Sequence, residues 1–160
     1  METVTLIVHG DCQPSGSKKA FVNPKTGRAI VVDANNKAKG WKERIAKVCA
    51  EQYGGPFLEG ALVATIRFYQ VRPQGHYGSG RNAGLLKDSA PAQPTVAPDV
   101  DKFARAVFDG LQGQLYRNDA QCVRLLAEKH YGEPARVEIE VAEAREQTVG
   151  DMLRPSLVAA

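Results

Sequence analysis

Cysteine is scarce in this 160-residue chain, and the three that occur, Cys12, Cys49 and Cys122, are odd in number and far apart. With no C-x-x-C among them, neither a disulfide framework nor a zinc ribbon is indicated. No apolar run approaches the ~20 residues of a membrane helix, and no charged-then-apolar leader opens the sequence. We therefore expect a protein of the cytoplasm with reduced thiols and no membrane partner. The glycine spacings of common nucleotide sites are also missing. "GSGRNAG" (78–84) reads G-x-G-x-x-x-G with no helix pattern behind it, and "PSGSKKAF" (14–21) is not a Walker A loop. No nucleotide cofactor is expected.

What is present suits one domain with a real core, 43% of the residues being hydrophobic. Net charge is only +3, but it is unevenly distributed. Residues 1–47 carry nine Lys or Arg against four acids, and residues 60–87 add Arg67, Arg72, Arg81 and Lys87 with no acid. From 133 to 151 the sign reverses, with six acids against Arg136 and Arg145. Solvated faces explain such runs; a polyanion docked on the first two segments explains them equally, because cations that neutralise phosphates release counterions.

Residues 3–10 have the β-branched composition of a strand, and 20–32 read as a hairpin turning at Asn-Pro-Lys-Thr-Gly. Trp41, Ile45, Val48, Cys49 and Tyr53 lie on one face of a helix that ends at Gly54-Gly55, with Trp41 as a core anchor. Strands are expected at 61–72, 121–130 and 136–142. Between 73 and 98 stand four prolines and four glycines without periodicity, a flexible loop of functional length. The chain from 143 to 160 reads as a polar tail. His9, His76 and His130 are scattered and suit surface or loop positions, not ligands; His76, inside the loop, is a candidate for DNA contact.

The loop runs into "APDVDKFARAVFDG" (97–110), where Phe103, Val107, Gly110 and Leu111 mark one face of a second helix. Asp101 stands where an N-cap belongs, and Asp99 fits a turn residue. Alternatively both carboxylates hold a hard cation such as Mg²⁺, which takes oxygen ligands at ~2.1 Å. Asp109, eight residues past Asp101, is too far along the helix to share that ion and suits a salt bridge. Asp119 precedes a strand that we expect to return beside the helix start and bring it to the pair.

The ordered set Asp99-x-Asp101, Arg105, Asp109-Gly-Leu, Asn118-Asp-Ala-Gln and Glu128-Lys-His-Tyr-Gly resembles the RusA family of Holliday junction endodeoxyribonucleases. The likeness extends to "VHGDCQPSGSKKAF" and "GWKERI" and covers roughly residues 4–141. It implies a single α+β domain over 1–142, a mixed β-sheet packed against two or more helices. It further implies Asp99, Asp101 and Asp119 as catalytic carboxylates that bind Mg²⁺, with Mn²⁺ as a substitute. Arg105 stands where the family commonly has lysine, Lys102 where asparagine is common, and Asn118 where the first acid of an Asp-Asp pair is common. Guanidinium does not deprotonate, so Arg105 would stabilise phosphate charge and not act as a base.

The activity so implied is hydrolysis of paired phosphodiesters in four-way branched DNA by a homodimer, in recombination, repair or phage DNA processing in a bacterial or phage-infected cell. Lys18, Lys19, Arg28, Lys37, Lys39, Arg72, Arg81, Lys87 and Lys102, with His76, are the candidate DNA contacts. A non-catalytic branched-DNA-binding accessory protein, or a metal-dependent nuclease for flaps or another branched substrate, would share this scaffold.

Overall fold

The computed structural model describes residues 3–16, 18–145 and Val149. Its strands are β1 (Thr3–His9), β2 (Lys18–Val22), β3 (Ala29–Asp33), β4 (Leu62–Gln70), β5 (Cys122–Tyr131) and β6 (Arg136–Glu143). Helix α1 (Asn36–Gln52) follows β3, and α2 (Val100–Leu111) lies between β4 and β5. The main sheet has the order β1-β6-β4-β5, antiparallel except for the parallel pair β4/β5, and β2 and β3 form a separate hairpin. This is the expected α+β arrangement, a mixed sheet with two helices. The parallel pair requires a crossover, which the 73–98 loop and α2 supply.

Period-two patterning decides which face of the sheet is covered. Val4, Leu6 and Val8 of β1, Val137, Ile139 and Val141 of β6, and Leu62, Ala64, Ile66 and Phe68 of β4 are all buried on one side. Register lines Leu6, Ile139 and Ile66 into one row. The helices lay Trp41, Ile45 and Cys49 of α1 and Phe103, Ala106, Val107 and Leu111 of α2 onto that surface. Phe68 stacks on Phe103 with ring centroids 5.0 Å apart. The opposite face is polar and its charges are paired between strands, as where Arg67 meets Glu140 at 2.8 Å and Glu128 at 3.4 Å.

Two glycines are required by geometry. At Gly54, φ is +56° and the N–H bonds back to Cys49 O, closing α1 where expected. At Gly110 a Cβ would come within 2.9 Å of Ile45 Cβ and 3.0 Å of Lys42 O, so the α1–α2 crossing depends on its absence. β6 runs to Glu143, and Ala144 N–H still bonds Ala61 O at 2.7 Å. Beyond Arg145 the expected tail lies outside the described residues, apart from Val149.

Candidate active site

The acidic pair stands at the exposed N-terminal end of α2. Asp99, and not Asp101 as the sequence suggests, is the N-cap residue, and its carboxylate makes no capping hydrogen bond. An N-cap side chain that does accept such a bond stabilises a helix by about 1 kcal/mol. Asp99 instead directs Oδ2 at Lys102 Nζ, 3.2 Å away. Asp101 is exposed in the first turn. Capping accounts for neither carboxylate. Arg105, also exposed, follows Asp101 at the i+4 spacing that brings helix side chains together.

Asp109 belongs to a different contact. Lys42 of α1 reaches its Oδ2 at 2.7 Å and Ser15 Oγ donates to the same oxygen at 3.3 Å. Ser15 is the buried polar residue of the described chain, 3% exposed, and its N–H bonds Lys102 O at 3.0 Å. Ser15 is thereby fastened to α2 at Lys102 and at Asp109, while Cys12 Sγ bonds Arg136 O of β6. Nothing in the sequence marks Ser15 for this role.

The 73–98 loop, expected to be flexible, is folded against the end of the sheet. It contains short helical turns at Gln74–His76 and Gly80–Asn82 and a bridge between Tyr77 and Leu86. Arg72 donates to Pro91 O at 2.7 Å and Ala92 O at 3.3 Å while lying 4.3 Å over the Tyr131 ring. Lys87 Nζ donates to Gly75 O, and His76 meets Tyr131 edge-on. Lys129 of β5 closes the loop by donating to Val96 O and Pro98 O, both at 2.8 Å, and so holds the chain just before Asp99. Among the candidate DNA contacts, Arg72, Lys87 and His76 are therefore engaged within the loop. Lys18, Lys19, Arg28, Lys37, Lys39 and Arg81 are exposed, and Lys102 is half-buried. Lys129 was missed; the signal was a cation at a core-facing register position, in step with Leu125 and Ala127.

Asp119 is held at the far end of α2. Asn118 Oδ1 accepts from Ala120 N–H at 2.9 Å, and Gln121 Oε1 accepts from the N–H groups of Arg117 and Asn118 at 3.1 Å. Gln121 Nε2 ties this turn to Leu58 O and Gly60 O. Asp119 N–H donates to the side chain of Gln112, the C-cap of α2, at 3.4 Å. Asp119 therefore lies at the C-terminal end of α2 and the pair at its N-terminal end, the 12 residues between spanning about 18 Å at ~1.5 Å per residue. β5 does not return Asp119 to the pair, contrary to expectation. It starts at Asp119's end of α2 and finishes at the pair's end, where Lys129 holds Pro98. Among the described residues no three of His, Cys, Asp and Glu are grouped to hold a metal ion.

The thiols offer no alternative chemistry. Burial, with Asp11 adding its charge, pushes Cys12 up to about 12, and burial pushes Cys49 up to about 11. Both stay protonated near neutrality, and only the thiolate is a nucleophile. Among the described residues no helix is long and apolar enough to cross a membrane.

Two exposed carboxylates at the start of α2, with a cation four residues on, are thus the acidic groups that the structure brings together, while Asp119 stands apart from them. The chain belongs to the RusA endodeoxyribonuclease family, whose model, Endodeoxyribonuclease RusA, matches residues 11–142. It is also similar to YqaN of Bacillus subtilis strain 168, an uncharacterized protein, with 27% identity over 146 residues that cover 89% of this chain and 98% of YqaN. Membership implies endodeoxyribonuclease activity of a Holliday junction resolvase family, whose members are generally dependent on a divalent metal.

Proposed function

We propose that this protein is a Mg²⁺-dependent, homodimeric endodeoxyribonuclease that resolves four-way DNA junctions by paired phosphodiester hydrolysis, with Mn²⁺ able to substitute. The observation that carries the reading is the state of the acidic pair: Asp99 is an N-cap that does not cap, and Asp101 is exposed beside it. The helix dipole favours acidic groups in this first turn, but two exposed carboxylates two residues apart, neither making a capping hydrogen bond, also fit a hard cation, which takes one or two carboxylates and completes its shell with water and substrate phosphate. Bound there, Mg²⁺ supplies a polarised water and a counter-charge for the phosphodiester oxygens. Asp99 and Asp101 would hold the ion, Lys102 would balance Asp99, and Arg105 would neutralise charge on the scissile phosphate without taking a proton.

Asp119 joins this set from a second copy. β5 is one of the two edge strands of the sheet, β1 being the other, and Val123, Leu125 and Leu126 are exposed along it at 65%, 42% and 52%. Such an edge is suited to pairing with another strand. Antiparallel pairing of two β5 strands about a two-fold axis lays the start of each against the end of the other. Asp119 of one protomer then meets the Lys129–Pro98 corner, and so the acidic pair, of its partner. Two sites related in this way match the two-fold symmetry of a four-way junction. The reaction belongs to the cytoplasm of a bacterial or phage-infected cell.

The test is cleavage of a labelled synthetic four-way junction, beside a flap and a linear duplex, with Mg²⁺ or with EDTA, by the wild type and by Asp101→Asn. Symmetric paired nicks in the junction alone, abolished by EDTA and by the substitution while binding persists, are expected. Tight junction binding without nicks under any divalent ion makes the protein an accessory factor, and preferential flap cleavage makes it a nuclease for another substrate. Either result overturns the proposal.

A further inference from the structure

The β2–β3 hairpin is not absorbed by the core or by the acidic site. It is a sheet of two strands only, pairing Phe21 with Ile30 and Lys19 with Val32. Its turn is well made: Asn23 Oδ1 accepts from Lys25 N–H at 2.8 Å, and Gly27 reverses the chain at φ +65°. Yet a hairpin standing alone is marginal in water, and every residue of β2 is exposed. Phe21 and Val32, on one face, are 50% and 41% exposed; Val22 and Val31, on the other, are 63% and 58% exposed. An element that is apolar on both faces is built to enter something.

Its charge says what. Lys18, Lys19, Lys25 and Arg28 surround these side chains, and the one acid of the two strands is Asp33, at the root, in register with Lys18. Two such arms repel each other, whereas a nucleic acid offers phosphates to the cations and bases to the apolar blade. The groove beside Val32 leads to α1, where Lys39 and Lys42 line it together with Glu43, 4.0 Å from Lys39.

Its root says where. A Cβ at Gly16 would lie 2.9 Å from Asn35 N, so only glycine lets the two ends of the hairpin close together. Asn35 Nδ2 donates across that gap to Pro14 O at 3.1 Å. Ser15, three residues before β2, is bonded to Lys102 O, one residue beyond Asp101. The segment that leads into the arm is therefore tied to α2, the helix that begins at the acidic pair.

We propose that the β2–β3 hairpin is a DNA arm that enters the branch point of a junction, with Phe21 stacking on a base exposed there and Lys18, Lys19, Lys25 and Arg28 on the flanking phosphates. The proposal rests on the junction-nuclease reading above. Apolar side chains inserted between bases act as wedges in other DNA-bending proteins, and at a branch point part of the unstacking has already occurred. Aromatic stacking on a base is sequence-tolerant and its removal is readily measured.

The experiment uses the full chain carrying Asp101→Asn, so that the DNA stays intact, with and without Phe21→Ser. The probe is a four-way junction with 2-aminopurine at the branch, and a linear duplex of equal length is the control. With Phe21 present, binding should change 2-aminopurine emission at the branch. Phe21→Ser should abolish that change and weaken junction binding about ten- to a hundred-fold, with duplex affinity altered less than about two-fold. Lys19→Gln with Arg28→Gln should lower the salt dependence of binding by about two counterions.

Phe21 is half exposed, so an unchanged circular dichroism melt should verify that the fold survives its replacement. Undiminished junction affinity and emission with Phe21→Ser would overturn the arm. So would a change in sedimentation mass, which would assign the apolar blade to a second copy. A parent protein that does not prefer junction to duplex would instead remove the functional reading on which the arm depends.

Discussion

Dividing the acidic residues between two protomers has a consequence that mixing experiments can measure. Asp119→Asn and Asp101→Asn each remove one carboxylate, from opposite ends of α2. Ligands of one Mg²⁺ at ~2.1 Å place their oxygens no more than about 4.2 Å apart, whereas these residues stand at opposite ends of a helix about 18 Å long. If each site draws Asp119 from the partner, a heterodimer of the two variants contains one site with both substitutions and one with neither. Refolding an equal mixture yields about half heterodimers, and so about a quarter of wild-type site density. Each variant alone should be inactive, and the mixture should regain single nicks but few paired cuts. Leu126→Lys, on the proposed interface, should abolish recovery and shift the sedimentation mass to that of a monomer. If each site were built from one chain, every heterodimer would contain two damaged sites. A mixture no more active than its components, with junction binding intact, would therefore refute the shared site.

Two further outcomes concern the scaffold. Gly110→Val places branched carbon against Ile45 and the Lys42 carbonyl, where even a single Cβ finds neighbours at 2.9–3.0 Å; we expect urea unfolding to show a loss of about 2–3 kcal/mol. An unchanged midpoint would mean that the helices do not cross there as described. Cys12 and Cys49 have folded-state values of about 12 and about 11, above the usual 9.0, and Tyr116 is raised by burial in the same sense. Groups raised in the folded state contribute stability that is complete below the unfolded value and is lost as pH rises through the folded one. The melting temperature should therefore fall between pH 9 and 12, and Cys49 should resist iodoacetamide in the native protein at pH 8. Rapid alkylation there, read by mass spectrometry, would contradict its burial.

The elements themselves were legible because each carries its own period. Val4, Leu6 and Val8 alternate, Trp41, Ile45 and Cys49 recur at helical spacing, and the strands and helices fall within a few residues of where these patterns place them. Legibility failed where a residue's position depends on a distant partner. The 73–98 loop reads as structureless because it has no period, yet Lys129 secures it through Pro98, 31 residues away in sequence. Asp119 illustrates the same limit. The pattern of β5 announces a strand but not which end of α2 it starts from, and only the parallel register with β4 decides that. The two-residue error in the N-cap arose because Asp99 and Asp101 are both good cap types, and their order relative to the first helical N–H is a matter of backbone dihedrals.

The separation that first looks like a defect in the site follows from how charge and folding interact. Three carboxylates drawn together within one chain, with no cation present, would burden the folding of every monomer with their mutual repulsion, and burial would raise that cost. Here Asp99 is eased by Lys102 at 3.2 Å, and Asp119 stands alone on a turn whose backbone is satisfied by Asn118 and Gln121. Neither arrangement needs metal. In the proposed dimer the repulsive grouping forms only after β5 has found its partner, at the moment when a cation and DNA can compensate it. A lone protomer would then be folded but harmless to duplex DNA, and the capacity to cut would arrive in pairs, on the symmetry that a four-way junction presents.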